Sequence, residues 1–143
     1  MRSLLAIVIL LCAAHASAQF KVPVAKGVPG SWELLSHVLD LEGKAVEKKT
    51  GAWRSTLRFE ADGSYRGTLQ FGDDPVVTAG SWKVNEDSSD VFLHRNRFLP
   101  PHDTDGTVAD RPLGLVELEK DRMVIKEHLF SEDIPGTSTY RRR

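Results

Sequence analysis

Cysteine is nearly missing from this sequence of 143 residues: the single copy, Cys12, sits in the first apolar run. A chain that loses that run has no thiol, so disulfide bracing and thiol nucleophiles are both excluded. Charge of one sign is missing too. Nineteen basic and 20 acidic side chains give a formal net charge of −1, and the only basic cluster is the terminal Arg141-Arg142-Arg143. Without a basic excess or a long like-charge block, nucleic acid is not expected as a partner. Several motifs of chemistry are absent as well. There is no Gly-x-Ser-x-Gly, no Gly-x-x-x-x-Gly-Lys-[Ser/Thr] and no His-Glu-x-x-His, so a serine hydrolase elbow, a phosphate loop and a zinc-protease helix are not predicted. Low-complexity segments are lacking, and the repeated Gly-Ser-Trp at 30–32 and 80–82 is too short to count as an internal repeat.

What is present begins with an address. Met1-Arg2-Ser3 carries one positive charge, Leu4 to Ala14 is apolar, and Ala16-Ser17-Ala18 is a small-x-small site before Gln19. That layout predicts a secretory signal peptide over 1–18, with an apolar core too short to span a bilayer. The expectation is an exported protein, periplasmic or secreted, with no stable membrane anchor. Residues 19–29 read as a Pro- and Gly-punctuated extended lead-in, and 30–143 as one domain. That length buries about two-thirds of the unfolded surface.

The domain is organised around Trp53 to Val84. Trp53-Arg54-Ser55-Thr56-Leu57-Arg58-Phe59-Glu60 alternates strictly, as a strand with one dry and one wet face does. Asp62-Gly63 is read as a tight hairpin turn with both residues at positive φ. Tyr65 to Phe71 alternates again, and after Gly72-Asp73-Asp74-Pro75 a third run covers Val77 to Val84. Upstream, Gly30 to Leu41 is apolar on both faces; a helix fits its periodicity, and the β context favours a strand. Downstream, Val91 to Arg95, Leu113 to Glu119, Arg122 to Leu129 and Thr137 to Arg142 read as further strands. Arg97 to Arg111 is the longest irregular segment. Short strands at this spacing with no clear helix predict an all-β domain, an antiparallel up-and-down β-barrel of about eight strands.

Three motifs carry a resemblance. Gly30-Ser31-Trp32, then Leu57-Arg58-Phe59-Glu60-Ala61-Asp62-Gly63-Ser64-Tyr65, then Gly80-Ser81-Trp82-Lys83-Val84 resemble the G-x-W, L-x-F-x-x-D-G-x-Y and G-x-W-x-V of the bacterial lipocalin-like domain family. Those are small exported calycin-type barrels, and the likeness runs over nearly all of 30–143. It implies that Trp32 plugs one end of the barrel and that an arginine of the last strand, Arg141 or Arg142, lies against it. The chain departs from the larger secreted lipocalins in lacking disulfides and a late helix, so their cargoes do not transfer.

The inward face of such a barrel holds Trp53, Leu57, Phe59, Tyr65, Leu69, Phe71 and Trp82, with Val84. These side chains line a pocket for a small hydrophobic molecule, or they fill the barrel as plain core. In the second case the alternative is a secreted interaction or inhibitor module acting through the Arg97–Arg111 loop on a protein partner whose identity is unknown. No catalytic residue, metal ligand or cofactor is predicted. The His102 to Asp110 loop has carboxylates around Gly106 but lacks the calcium-loop spacing. Glu117 and Glu127 lie on strands whose inward face alternation leaves open.

Overall fold

The computed structural model describes residues 23–48, 50–51, 53–85, 90–102, 110–129 and 134–143. The predicted signal peptide and the start of the lead-in lie outside the described residues. Among the described residues nine strands follow one short helical turn. They are α1 (Val24–Gly27), β1 (Gly30–Leu41), β2 (Lys44–Lys48), β3 (Trp53–Phe59), β4 (Ser64–Phe71), β5 (Asp74–Val84), β6 (Val91–Phe98), β7 (Arg111–Leu118), β8 (Arg122–Glu127) and β9 (Gly136–Arg142).

Every pairing is antiparallel between neighbours in sequence, save that β1 also pairs with β9 and β3. On one edge β1 meets β9 from Trp32↔Arg142 to Leu39↔Gly136. On the other, its first half meets β3 and its second half meets β2. The result is a closed eight-stranded barrel, with β2 as an added hairpin arm; its shortest seam is β6–β7, paired from Val91↔Leu113 to Leu93↔Arg111.

The lead-in is not extended throughout, as the sequence suggested. Pro23 fixes the entry, and its carbonyl accepts from the amides of Lys26 and Gly27, winding α1. The β3–β4 turn also differs from expectation. The Gly63 amide donates to the Glu60 carbonyl, and only Gly63, at φ 90°, takes positive φ. This is a three-residue loop built on a type I turn, in which Asp62 serves as acceptor for the Ser64 amide and hydroxyl. Glu42 and Gly43, both at positive φ, make the two-residue turn between β1 and β2.

Three strands carry an extra residue. The register shifts between Leu34 and Ser36 in β1, opposite Ala79–Ser81 in β6, and between Leu115 and Glu117 in β7. Each bulge reverses the alternation, so residues three apart share the interior: Leu34 with His37, Leu93 with Asn96, and Leu115 with Leu118 are all buried. Leu35 and Val116, at the bulges, are the residues turned outward, each about two-fifths exposed.

One end of the barrel is shut. Trp32, Phe59, Tyr65, Leu93, Leu118 and Met123 fill it, and Val28 packs beneath them as part of the same apolar cluster. The Trp32 indole donates to the Val28 carbonyl at 2.8 Å. Arg142 lies over the Trp32 ring, 4.2 Å from its centroid. Its guanidinium donates to the carbonyls of Gly27, Pro29 and Lys120 at 2.6–2.7 Å. Arg141 points the other way and pairs with Glu33 on the outer surface.

Candidate functional site

Towards the opposite end the interior changes character. A cavity of about 230 Å³ lies inside the barrel, room for roughly eight waters at about 30 Å³ each. Leu57 and Leu69 from β3 and β4, Val76 from β5, Phe98 from β6 and Leu129 after β8 supply its apolar wall. Asn96, Arg111 and Glu127, with the hydroxyls of Ser55, Tyr65, Thr68 and Thr78, supply the polar part. Gly67 makes room for the Tyr65 hydroxyl, which a Cβ at that position would strike.

A continuous polar chain braces one side. Ser138 donates to Glu127 Oε1 at 2.6 Å, and Tyr140 donates to the same oxygen at 2.7 Å. His37 Nδ1 lies 2.6 Å from the Ser138 hydroxyl, and Ser55 lies 3.4 Å from that of Tyr140. With the Ser138 proton given to Glu127, its oxygen accepts from His37 as the Nδ1–H tautomer. A serine between the imidazole and the carboxylate is the wrong order for a nucleophilic triad, in which the base must stand between the other two. The chain therefore positions a carboxyl group rather than activating a hydroxyl. Burial pushes the Glu127 carboxyl up, against the opposing pull of Ser138, Tyr140 and the Arg111 charge. Burial likewise lowers the His37 imidazole, and burial together with Glu127 raises the Tyr140 phenol well above its usual range.

Of the side chains expected to line a pocket, Leu57, Tyr65 and Leu69 stand on the cavity wall. Phe59 and Trp82 do not. They lie towards the closed end, edge to face at 5.5 Å, with the Trp82 indole donating to the Glu60 carbonyl in the turn. Trp53 and Phe71 stack at 6.5 Å at the far end of the β3–β4 pair, with Phe71 half exposed. Of the polar members of the site, Ser55 lies on the face that alternation assigned to it, with Trp53, Leu57 and Phe59, whereas His37, Asn96 and Glu127 escaped the pattern. His37 and Asn96 face inward because bulges put them there, and Glu127 faces inward with Met123 and Ile125, whereas Glu117 turns out to Arg122.

A second and larger recess of about 620 Å³ lies on the outer surface, edged by the long side chains of Arg58, Arg66 and Arg97. Arg66 and Arg97 are exposed, and Arg58 pairs with Glu60 across the recess edge. Its rim is made of exposed arginines, whereas the smaller cavity lies between the inner faces of the strands and has a mostly apolar wall, which makes it the better-formed site. The Arg97–Arg111 loop lies in part outside the described residues. At its two ends His102 faces Asp74 and His94 faces Asp110, at 3.4 and 3.1 Å. Among the described residues no group of three or more His, Asp or Glu is gathered for a metal, and no helix is long and apolar enough to cross a membrane.

Neither protein-family models nor curated proteins match the chain. Among solved structures it is similar to a lipocalin-like protein from Bacteroides uniformis, at 13% identity and TM-score 0.56, over 82% of this chain and 99% of that one. A redesigned β-barrel is similar at 11% identity and TM-score 0.51, over 86% of this chain and 97% of the other. At such identities the likeness is one of architecture. The chain has the closed antiparallel barrel of the lipocalin-like fold.

Proposed function

We propose that this is an exported binding protein that captures a small, largely apolar molecule inside its barrel. The observation that carries this reading is the interior cavity, with hydrocarbon on most of its wall and a few fixed polar groups converging on it. Its size favours a compact ligand over a long acyl chain. The signal-like first 18 residues support export; periplasm and medium remain alternatives for the destination. Leu57, Tyr65 and Leu69 make the apolar contacts in this reading, and Glu127 with Arg111 orients the bound molecule.

Native mass spectrometry on residues 19–143 purified from the natural host tests it. The expected result is a reproducible added mass that disappears on denaturation and reappears in a solvent extract. Val76→Phe, which fills the cavity from β5, is expected to abolish the added mass while the protein stays folded. A bare mass for the original protein, together with no displacement of a fluorescent apolar probe, would rule out the carrier role.

A further inference from the structure

Asn96 is the least explained side chain of the interior. It is 2% exposed and lines the cavity, yet neither its Nδ2 nor its Oδ1 has a hydrogen-bond partner in the protein. Buried polar groups are nearly always paired, and each one left unmade is destabilising. Leucine has the same branched outline and would leave no polar atom unpaired. The β6 bulge turns Asn96 inward three residues from Leu93, so the backbone itself departs from regular pairing to present this amide.

Three features limit what the amide meets. Its planar end offers one donor and one acceptor side by side, which suits a partner with an acceptor and a donor at the same spacing. Arg111 and Glu127 face the same cavity with opposite formal charge, so neither an anion nor a cation gains a net counter-charge. Arg111 adds a buried Nε that also has no partner. The remaining wall, with Phe98 among its apolar groups, suits a flat body.

We propose that the cavity takes a small, planar, uncharged heterocycle bearing an adjacent N–H donor and C=O acceptor, a cyclic-amide edge, read by the Asn96 side chain. This rests on the binding function proposed above and specifies its ligand class. Three bicyclic probes of nearly equal size separate the two ideas in fluorescence or calorimetric titrations of residues 19–143. Carbostyril has the cyclic-amide edge, coumarin replaces its N–H by oxygen, and naphthalene has neither group. The expected order is carbostyril tightest, with coumarin weaker by about ten- to hundredfold. Asn96→Leu is expected to erase that preference while unfolding no more readily than the original protein. Equal binding of all three probes overturns the cyclic-amide inference and leaves small-molecule capture standing. A carbostyril preference that survives Asn96→Leu overturns the role of Asn96. Failure of all three to bind overturns both proposals.

Discussion

The two ends of this barrel are built on opposite principles. At the closed end every polar atom of Trp32 and Arg142 is spent on the backbone of the lead-in and the β7–β8 turn, and the space between is packed with aromatic and aliphatic groups. Towards the other end Glu127, Ser138, Tyr140 and His37 form a buried polar chain beside an open cavity, and Asn96 has no protein partner. The first arrangement maximises stability. The second retains desolvated polar groups that a purely structural core would replace with hydrocarbon. Stability and recognition are thus divided along the barrel axis.

The strongest way to break this division is to open the closed end. Trp32→Ala removes a fully buried indole and its hydrogen bond, with an expected loss of about 3–5 kcal/mol in denaturant unfolding. Arg142→Met keeps much of the side-chain volume but loses the ring contact and three bonds to carbonyls, for about 2–4 kcal/mol. Cavity substitutions such as Asn96→Leu should cost far less or add stability. If Asn96→Leu proves as damaging as Trp32→Ala, the division is wrong.

The same comparison marks what the sequence disclosed. The closed end was legible because Trp53–Phe59 keeps strict period two and Asp62-Gly63 announces a turn; the inward direction of Trp32 and Trp82 and the count of barrel strands followed. Alternation also put Tyr140 and Arg142 on one face, though only the pairing with β1 decides that this face is the inner one. The polar end was hidden for a physical reason. Bulges at β1 and β6 invert the pattern at His37 and Asn96, and a bulge depends on the partner strand rather than on local residue order. Phe59 and Trp82 show the converse: their inward direction was readable, but their depth along the barrel, which separates plug from pocket, was not.

A second test sharpens the contrast through pH. Glu127 has its folded pKa raised above the ordinary 4.5. The folded state therefore holds its proton more tightly, and the stability this group contributes is full below about 4.5 and lost as pH rises through the folded value. His37 has its folded pKa below 6.5. Its contribution is full above 6.5 and lost as pH falls through the folded value. Glu127→Gln is expected to remove the decline on the alkaline side of 4.5, and His37→Gln the decline on the acid side of 6.5. Unfolding midpoints measured between pH 4 and 8 check both. Identical pH profiles for Glu127→Gln and the original protein would show that the carboxyl does not titrate with folding.

The smallest effect should come from the neighbour of Arg142. Arg141 and Glu33 are cross-strand partners on β9 and β1, 3.1 Å apart, with the arginine more than half exposed. The pair joins the same two strands that Arg142 and Trp32 join, so topology alone would rank the two contacts together. Solvation separates them. An exposed ion pair gains little over its hydrated ions, typically under about 1 kcal/mol, and salt screens what remains. Glu33→Gln is therefore expected to shift the denaturation midpoint barely, with the shift vanishing at high salt, whereas the loss in Arg142→Met should persist there. An Arg141 pair worth as much as Arg142 would mean that the seam between first and last strands, rather than the plugged end, holds the barrel shut.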